Sequence, residues 1–220
     1  MSIVKNPKLH TITYSSGRIK NLGADYEVLN IRGSVFINQE VKLKEISTNG
    51  FSSFSSHVEA NLLKNSGFCT INGNCQVKEI INAGTLKILH AKINDLTSSG
   101  KLTIEKSLSA DNLHIKGIIR AFTIQTKHLH LKLSGVSKID RLNTEELNID
   151  ICRKSISLFK KKLICQYIKG KKLNVSNTEA EIIEGNIVMI GKNCKVHTLY
   201  YKEDYSIAPN AIVQHVIRRK

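Results

Sequence analysis

The sequence predicts an all-β protein, a single-stranded parallel β-helix of about eleven coils with ~17 residues in each coil and a triangular cross-section. Three features predict it: evenly spaced glycines, aligned columns of aliphatic residues, and short stretches of alternating polarity. The composition agrees, because 41% of the 220 residues are hydrophobic whereas 5% are aromatic and none is tryptophan. Stacked layers of similar shape can be filled by aliphatic side chains alone.

Glycine spacing sets the period of the repeat. The spacings are 16, 17, 17, 17, 16, 17 and 18 between the glycines at positions 17, 33, 50, 67, 84, 100, 117 and 135. Several of these glycines end a turn of small polar residues, as in Asn65-Ser66-Gly67. Because glycine adopts positive φ without steric cost, we expect it to mark the same corner of successive coils.

Aliphatic residues recur in step with the glycines. The positions four residues after a glycine form one column: Ile37, Phe54, Ile71, Ile88 and Ile104. Ile93 and Leu96 come one residue early in their columns, which matches a coil that is one residue shorter. Near the C-terminus four pairs repeat the same period: Ile190 and Ile207, Cys194 and Ala211, Val196 and Val213, Leu199 and Val216. Columns that keep step across a deletion predict side chains stacked from coil to coil.

Alternating stretches such as Leu102-Thr103-Ile104 predict short strands with one face inside and one outside. The predicted organisation is an N-terminal segment with the first coil at 1–27, a β-helix domain at 28–217 and a basic tail at 218–220. Within the domain, residues 152–176 lose the glycine marker and are predicted to be irregular and basic. Two interpretations stay open for this stretch: a coil with a charged outer face, or a short excursion from the stack.

Net charge and cysteine content suggest partners and location. A formal charge of +15 favours an anionic partner, which could be a nucleic acid, a membrane face or an acidic protein. The five cysteines are odd in number and lack a Cys-x-x-Cys motif, so we expect free thiols that pack in the core. The sequence has neither a signal-peptide pattern nor 18 consecutive apolar residues. We therefore expect a cytoplasmic protein, with a peripheral position at the inner face of the membrane as one option.

The C-terminal coils carry a family resemblance. Residues 184–196 read EGNIVMIGKNCKV and residues 208–213 read APNAIV, and this stretch resembles the bactofilin-like polymer-forming proteins of Firmicutes. Residues 31–37, IRGSVFI, look like a variant of the coil opening of that family. The resemblance implies a right-handed β-helix that polymerises end to end without nucleotide. It also implies a cytoplasmic scaffold, often held near the membrane, in cell shape, envelope or motility organisation.

The last predicted coil is the candidate for self-association. It is apolar to within three residues of the C-terminus, and no amphipathic helix follows to cover it. The ends of a β-solenoid expose unpaired strand edges that can pair with another chain. We therefore expect this end to dock on a partner, most simply a second copy. The candidate residues are Ala211, Ile212, Val213, Val216 and Ile217.

Catalysis is not expected, and neither is a cofactor or a small-molecule substrate. A polysaccharide lyase would need clustered aspartates, but the acids here are scattered. Residues 190–195 and 207–212 each fit the hexapeptide unit of left-handed acyltransferases, but that unit would have to recur without interruption through every coil, and the other coils lack it. His128 and His130 would point to one side of a strand, with no third zinc ligand evident nearby. The predicted role is therefore structural.

One basic stretch is the candidate for an anionic surface. No acidic residue lies between Asp150 and Glu179, and we expect the basic side chains there to be unpaired. They could bind anionic lipid headgroups, with Leu158, Phe159 and Tyr167 adding shallow insertion. Nucleic-acid binding and a merely solvated face are the alternatives. The residues are Arg153, Lys154, Lys160, Lys161, Lys162, Lys169, Lys171 and Lys172.

The predicted function is thus a cytoskeletal scaffold that self-associates through the ends of its β-helix and organises an anionic surface or a protein partner. A monomeric β-helix adaptor that binds another protein, including a sister solenoid, is the first alternative. A hexapeptide-like acyltransferase is the second.

Overall fold

The computed structural model of the chain describes residues 9–23, 25–152 and 160–220. It is an all-β solenoid of about 12 turns in which equivalent positions lie ~17 residues apart, and no helix occurs in the described residues. The fold class that the glycine and aliphatic columns predict is therefore confirmed, with about one more turn than expected.

The described residues form thirteen strands, and every strand pairing between them is parallel. Neighbours in sequence are neighbours in the sheet, apart from β4, which pairs with β2 and β6. The strands are β1 Thr11–Ile19, β2 Val28–Ile37, β3 Val41–Thr48, β4 Phe51–Phe54, β5 Val58–Asn65, β6 Phe68–Asn82, β7 Thr85–Ser98, β8 Lys101–Leu133, β9 Val136–Ile151, β10 Lys162–Val175, β11 Thr178–Ile190, β12 Lys195–Ile207 and β13 Ile212–Arg218.

Each coil contributes strand segments to three faces of the solenoid. In the coil that begins at Phe51, face 1 contains 51–54, face 2 contains 58–60 and face 3 contains 62–65. The register joins each of these segments to its equivalent in the next coil, for example Phe51 to Phe68 and Val58 to Cys75. Below, faces 1, 2 and 3 mean these three segments together with all residues in register with them.

Burial confirms the aliphatic columns. The five residues found four positions after a glycine lie on face 1, point inward and are almost completely buried. Register confirms the shortened coil as well, since Leu86 pairs with Leu102, one position earlier than the usual period would place its partner. Full burial of one such side chain stabilises the fold by about 1.5–3 kcal/mol, so each coil adds several such contributions.

The glycine column has a different physical cause from the one expected. In the described residues, glycines with positive φ are Gly17 and Gly23, so the repeated glycines that follow do not adopt the left-handed region. They are required because the coils approach closely at that corner. A Cβ atom added to Gly67 would overlap the carbonyl oxygen of Gly50, and the same holds from Gly50 to Gly33. The repeated glycines therefore mark the predicted corner, but the cause is close packing between coils and not a positive φ angle.

One inward column of face 3 changes from polar to aliphatic along the solenoid. Thr48 donates to Asn65 Oδ1 at 2.8 Å, Asn65 Nδ2 donates to Asn82 Oδ1 at 2.7 Å, and Asn82 Nδ2 donates to Ser98 Oγ at 2.9 Å. All four side chains are buried. In the following coils the same column continues with Ile115, Leu131, Ile149, Val175 and Ile190.

Much of the stretch that was predicted to be irregular forms a regular strand. Residues 162–175 form strand β10, which pairs in register with β9 on one side and β11 on the other. For these residues the prediction of irregular structure was wrong, and the interpretation of a coil with a charged outer face holds. Lys162 pairs with Val136, far more than one period back, and Leu163 pairs with Thr178, less than one period ahead. A count at a fixed period therefore loses the pattern here.

Candidate functional site

The C-terminal edge of the solenoid is where the self-association candidates lie. They lie on and next to β13, whose one sheet neighbour among the described strands is β12. Ile212 and Ile217 are 58% and 43% exposed, while Ala211 and Val213 point toward the core and remain only half-buried. The predicted residues therefore come together on one edge. Val213 and Val216 continue inward columns whose side chains are almost completely buried in the middle of the solenoid, whereas Ile212 and Ile217 continue outward columns.

The N-terminal edge of the described residues matches the C-terminal edge in shape. Strand β1 begins on face 3, where Thr11 pairs with Val28, and continues onto face 1, where Ile19 pairs with Ile37. Strand β13 crosses face 1 and ends on face 2, where Val216 pairs with Leu199. A coil runs in the order face 3, face 1, face 2. Because β13 ends on face 2 and β1 begins on face 3, a second copy can follow the first without a step, and the two strand edges are flush in this sense.

The basic stretch is not a set of unpaired charges. Three of its lysines form ion pairs with acids that neighbouring coils supply, so that part of the prediction was wrong. Tyr167 donates to Glu184 Oε2 at 2.7 Å and is therefore held against the protein surface. Arg153, Lys154, Leu158 and Phe159 lie outside the described residues. The ion pairs are Lys162–Glu179 at 2.7 Å, Lys169–Glu184 at 3.0 Å and Lys171–Glu145 at 2.7 Å.

The described lysines of this stretch do not share one surface either. Lys162 lies on face 1, Lys169 on face 2 and Lys172 on face 3, according to their register partners in β9 and β11. A coil carries consecutive residues around the whole perimeter of the solenoid, so a charge run in the sequence is dispersed. Lys160, Lys161 and Lys162 remain together at one corner, next to Lys195.

A cluster around Glu184 joins side chains from four coils. Its carboxylate accepts the Tyr167 hydroxyl and pairs with Lys169 and, at 2.8 Å, with Arg219, although its side chain is only 14% exposed. The Arg219 guanidinium also lies 4.2 Å from the centre of the Tyr200 ring. Burial alone would raise the pKa of Glu184, but the hydrogen bonds from Tyr167 and Lys169 and the two positive charges outweigh it and lower the pKa.

A groove of about 760 Å³ runs beside this cluster along the corner between faces 2 and 3. Small side chains line it where the coils meet, including Ala110, Thr144 and Gly170. Most of its charged groups neutralise one another, as Lys127 and Asp111 do at 2.8 Å. These ion pairs join the side chains of neighbouring coils on the outer surface.

The histidines and cysteines of the described residues do not gather into a metal site. No group of three or more His, Cys, Asp or Glu side chains there could hold a metal ion. His128 pairs with Glu146 at 3.3 Å, and the rings of His130 and His114 meet edge to face 6.2 Å apart. Burial raises the pKa of the Cys69 thiol to about 11, although hydroxyl groups of neighbouring coils oppose it. All five cysteines are free, and the four that are buried pack in the core as expected.

Sequence reasoning missed a surface on face 1. Phe36, Phe51 and Phe68 point outward there and are 41%, 39% and 43% exposed. The signal was available, because Phe51 and Phe68 each directly follow a glycine of the repeat and are one period apart.

Comparisons with known proteins identify no family for this chain. No protein-family model matches the chain, and no solved structure does. The chain is 36% identical over 52 residues to a Bacillus subtilis (strain 168) protein named "Uncharacterized protein YhbE". The match covers 24% of this chain and 22% of that protein, so the chain spans less than a quarter of the length of the relative. In the described part of the chain, no helix has the length and apolar character of a membrane span.

Proposed function

We propose that this protein is a non-catalytic scaffold that self-associates through the two strand edges of its solenoid. The observation that carries the proposal is the state of the core at those edges. Core positions in the middle coils are almost completely buried, whereas Ile12 and Tyr14 at one edge and Ile207 and Val213 at the other are only partly covered. Among the described strands, β1 and β13 also have no partner on their outer sides, and such edges favour addition of another strand.

A second copy fits these edges head to tail. Continuing the register by one coil places Tyr14 of the next copy on Ile207 and Ile19 on Val213, so that apolar columns run on through the junction. The flush edges allow this stacking without a step, and each added copy restores the parallel ladder. The resemblance of residues 184–213 to bactofilin-like polymer-forming proteins supports the same role.

The proposal also names a compartment and a partner for the scaffold. Five free cysteines suit a reducing compartment, so we place the scaffold in the cytoplasm. Its net charge of +15 suits an anionic surface or an acidic protein as the partner that it organises.

Edge substitutions test the self-association and its polarity together. Val213→Arg and Tyr14→Arg each place a charge at one edge, and Ile81→Arg serves as the control, since Ile81 is exposed in the middle of face 3. Light scattering coupled to gel filtration measures particle mass, and circular dichroism confirms the strand content. For head-to-tail stacking we expect assemblies from the wild type and from Ile81→Arg, but monomers from each edge variant alone.

Mixing the two edge variants gives the decisive result. A head-to-tail junction predicts dimers in the mixture, because each variant retains the edge that the other has lost. Dimers from one edge variant alone would instead indicate contacts between like ends. A wild type that stays monomeric at every concentration would contradict self-association and favour the adaptor, which uses the same edges on another protein.

A further inference from the structure

Positive charge is concentrated on face 1. Its two outward columns run from Ser16 and Arg18 in the first coil to Ile212 in the last. Among the described residues of these columns the one carboxylate is Glu179, and it pairs with Lys162. The basic residues of the two columns are Arg18, Lys87, Lys101, Arg120, Lys138, Lys162 and Lys195.

Face 3 has the opposite balance. Its described outward columns, which run through Glu45, Leu62 and Glu79 and through Ser47, Lys64 and Ile81, hold more acids than lysines. The overall charge of +15 is therefore distributed unevenly around the solenoid. The acids of these columns are Glu45, Glu79, Asp95, Glu146 and Asp204, and the lysines are Lys64 and Lys172.

Most of the face 1 cations have no acidic partner in the described part of the chain. Lys87 pairs with Glu105 at 2.8 Å at the edge of the face, and Lys162 pairs with Glu179. The other five cations of the two columns form no ion pair with any described residue. Each of these five leaves its charge available to an external anion, in contrast to the paired lysines of the basic stretch.

Exposed aromatic side chains accompany these charges. Phe36 and Phe51 have ring centres 5.6 Å apart, and Phe51 and Phe68 stack at 5.4 Å with their planes only 6° apart. These rings form a continuous ridge on the N-terminal coils of face 1. In a middle coil, Phe122 directly follows the last residue of face 1 and is 54% exposed. A contiguous exposed apolar ridge of this kind marks an interaction surface.

We propose that face 1 is a docking surface for a membrane rich in anionic phospholipid. Its basic side chains would contact the headgroups while the phenylalanine ridge enters the interfacial region. At ~4.8 Å per coil the two columns spread these contacts over roughly 50 Å along one side, so they can meet one plane together. This inference goes beyond self-association and does not depend on it, because each copy carries the whole face.

The ring geometry favours a membrane over a nucleic acid. Single-stranded nucleic acid binds by stacking its bases on free aromatic faces. Phe51 and Phe68 cover each other's faces, so they present mainly ring edges to the outside. Ring edges suit insertion among lipid chains and headgroups, and they leave little room for a stacked base.

Docking through face 1 also orients the scaffold. The acidic face 3 would point away from the anionic surface, and the two strand edges would stay accessible at the ends. Copies joined head to tail would then lie flat with the same face on the membrane. Weak contacts per copy would add up along the assembly.

Charge reversal on two faces tests the docking surface. Lys101→Glu with Lys138→Glu changes face 1, and Lys64→Glu with Lys172→Glu makes the same change of net charge on face 3. Co-sedimentation with phosphatidylcholine vesicles, with and without phosphatidylserine, measures the partition coefficient over a salt series. Since each basic residue near such a surface contributes about fivefold and each new glutamate adds repulsion, we expect about a hundredfold loss for face 1 and less than threefold for face 3.

A fluorescent reporter tests the aromatic ridge directly. The chain has no tryptophan, so Phe51→Trp introduces a single reporter on face 1, and Ile81→Trp introduces one on face 3 at the same 39% exposure. With phosphatidylserine vesicles we expect a shift of emission to shorter wavelength for Phe51→Trp and none for Ile81→Trp.

Three results would overturn the inference: equal losses for both pairs of charge reversals, equal binding to neutral vesicles, or binding to DNA without binding to vesicles. The Val213→Arg variant separates this test from that of self-association. If Val213→Arg is monomeric, it should still bind phosphatidylserine vesicles, more weakly but with the same dependence on face 1. If self-association proves wrong, the comparison of faces 1 and 3 remains valid on the monomer.

Discussion

The inward column of face 3 is filled in two different ways, and the comparison shows what a stacked core tolerates. Between Thr48 and Ser98 it is a hydrogen-bonded polar ladder, and from Ile115 onward it is aliphatic. Both sections are buried to the same degree. Position in the coil therefore does not dictate polarity. What matters is that each residue finds a matching partner in the coils above and below.

The ladder ends show how one kind of packing changes into the other. Each asparagine amide both donates and accepts along the column, and it also reaches the backbone, as Asn65 does at 3.1 Å to the carbonyl oxygen of Thr85. At each end stands a hydroxyl group, Thr48 or Ser98, which needs only one partner within the column. A hydroxyl can therefore meet an aliphatic neighbour, Ile31 or Ile115, at a smaller cost than an amide.

The largest expected effect comes from placing an isolated amide in the aliphatic section. Leu131 is completely buried, and Ile149 is its register partner in the next coil. Leu131→Asn loses the burial of an aliphatic side chain and leaves an amide without partners, so we expect about 4–5 kcal/mol less stability. Urea denaturation measures the change, and His130→Asn on the outer side of the same strand should stay within about 1 kcal/mol. A cost below that of Asn65→Ala would contradict the comparison.

The next effect comes from interrupting the ladder. Asn65→Ala removes the acceptor of the Thr48 hydroxyl and the donor to Asn82, and we expect a loss of about 3 kcal/mol. Asn65→Leu and Asn82→Leu should each cost a similar amount. The double substitution should cost less than the sum of the two by about 1–2 kcal/mol, because each substitution removes the hydrogen-bond partner that the other would leave unpaired. Strict additivity in a double-mutant cycle would argue against a connected ladder.

The glycine corner offers a smaller contrast between two positions of the same repeat. At Gly67 an added Cβ would overlap a backbone oxygen of the previous coil, which cannot move alone. At Gly135 the nearest atom is the end of the Ile118 side chain at 3.0 Å, which can rotate away. We expect Gly67→Ala to cost about 2 kcal/mol and Gly135→Ala about 0.5 kcal/mol or less. Thermal unfolding of both variants checks this, and equal costs would show that backbone proximity is not the cause.

These contrasts also show how far the sequence could lead. The period and the columns were predictable because similar residues must stack for the core to close, and burial confirms them at Ile37 and Phe54. Strand β10 was missed because a count at a fixed period cannot find its partners. Those in β9 lie more than one period earlier in the chain, and those in β11 lie less than one period later. The glycines of β10 and β11 do not help, since Gly170 and Gly185 lie on face 2 and not at the glycine corner.

Surface properties were harder to predict than the core, because they depend on register. The acid that pairs with Lys171 is Glu145, which lies well over one period earlier in the chain, so local charge counting could not find it. In the same way, the cations of face 1 lie in different coils, and apart from Lys162 they belong to no basic run in the sequence. Strand edges were easier to predict, since apolar residues such as Val213 and Val216 already repeat the core columns.

The smallest expected effect concerns two buried serines in one inward column of face 1. Ser137 Oγ accepts a hydrogen bond from the Ile119 backbone at 3.1 Å, whereas Ser52 Oγ has no oxygen or nitrogen partner among the described residues and faces the Cys69 thiol. Ser137→Ala strands a backbone donor and should cost about 1 kcal/mol, while Ser52→Ala should change stability by less than about 0.5 kcal/mol. Both side chains are equally buried, so chemical denaturation isolates the partner as the variable. If Ser52→Ala cost as much as Ser137→Ala, matching between coils would not be what stabilises this column.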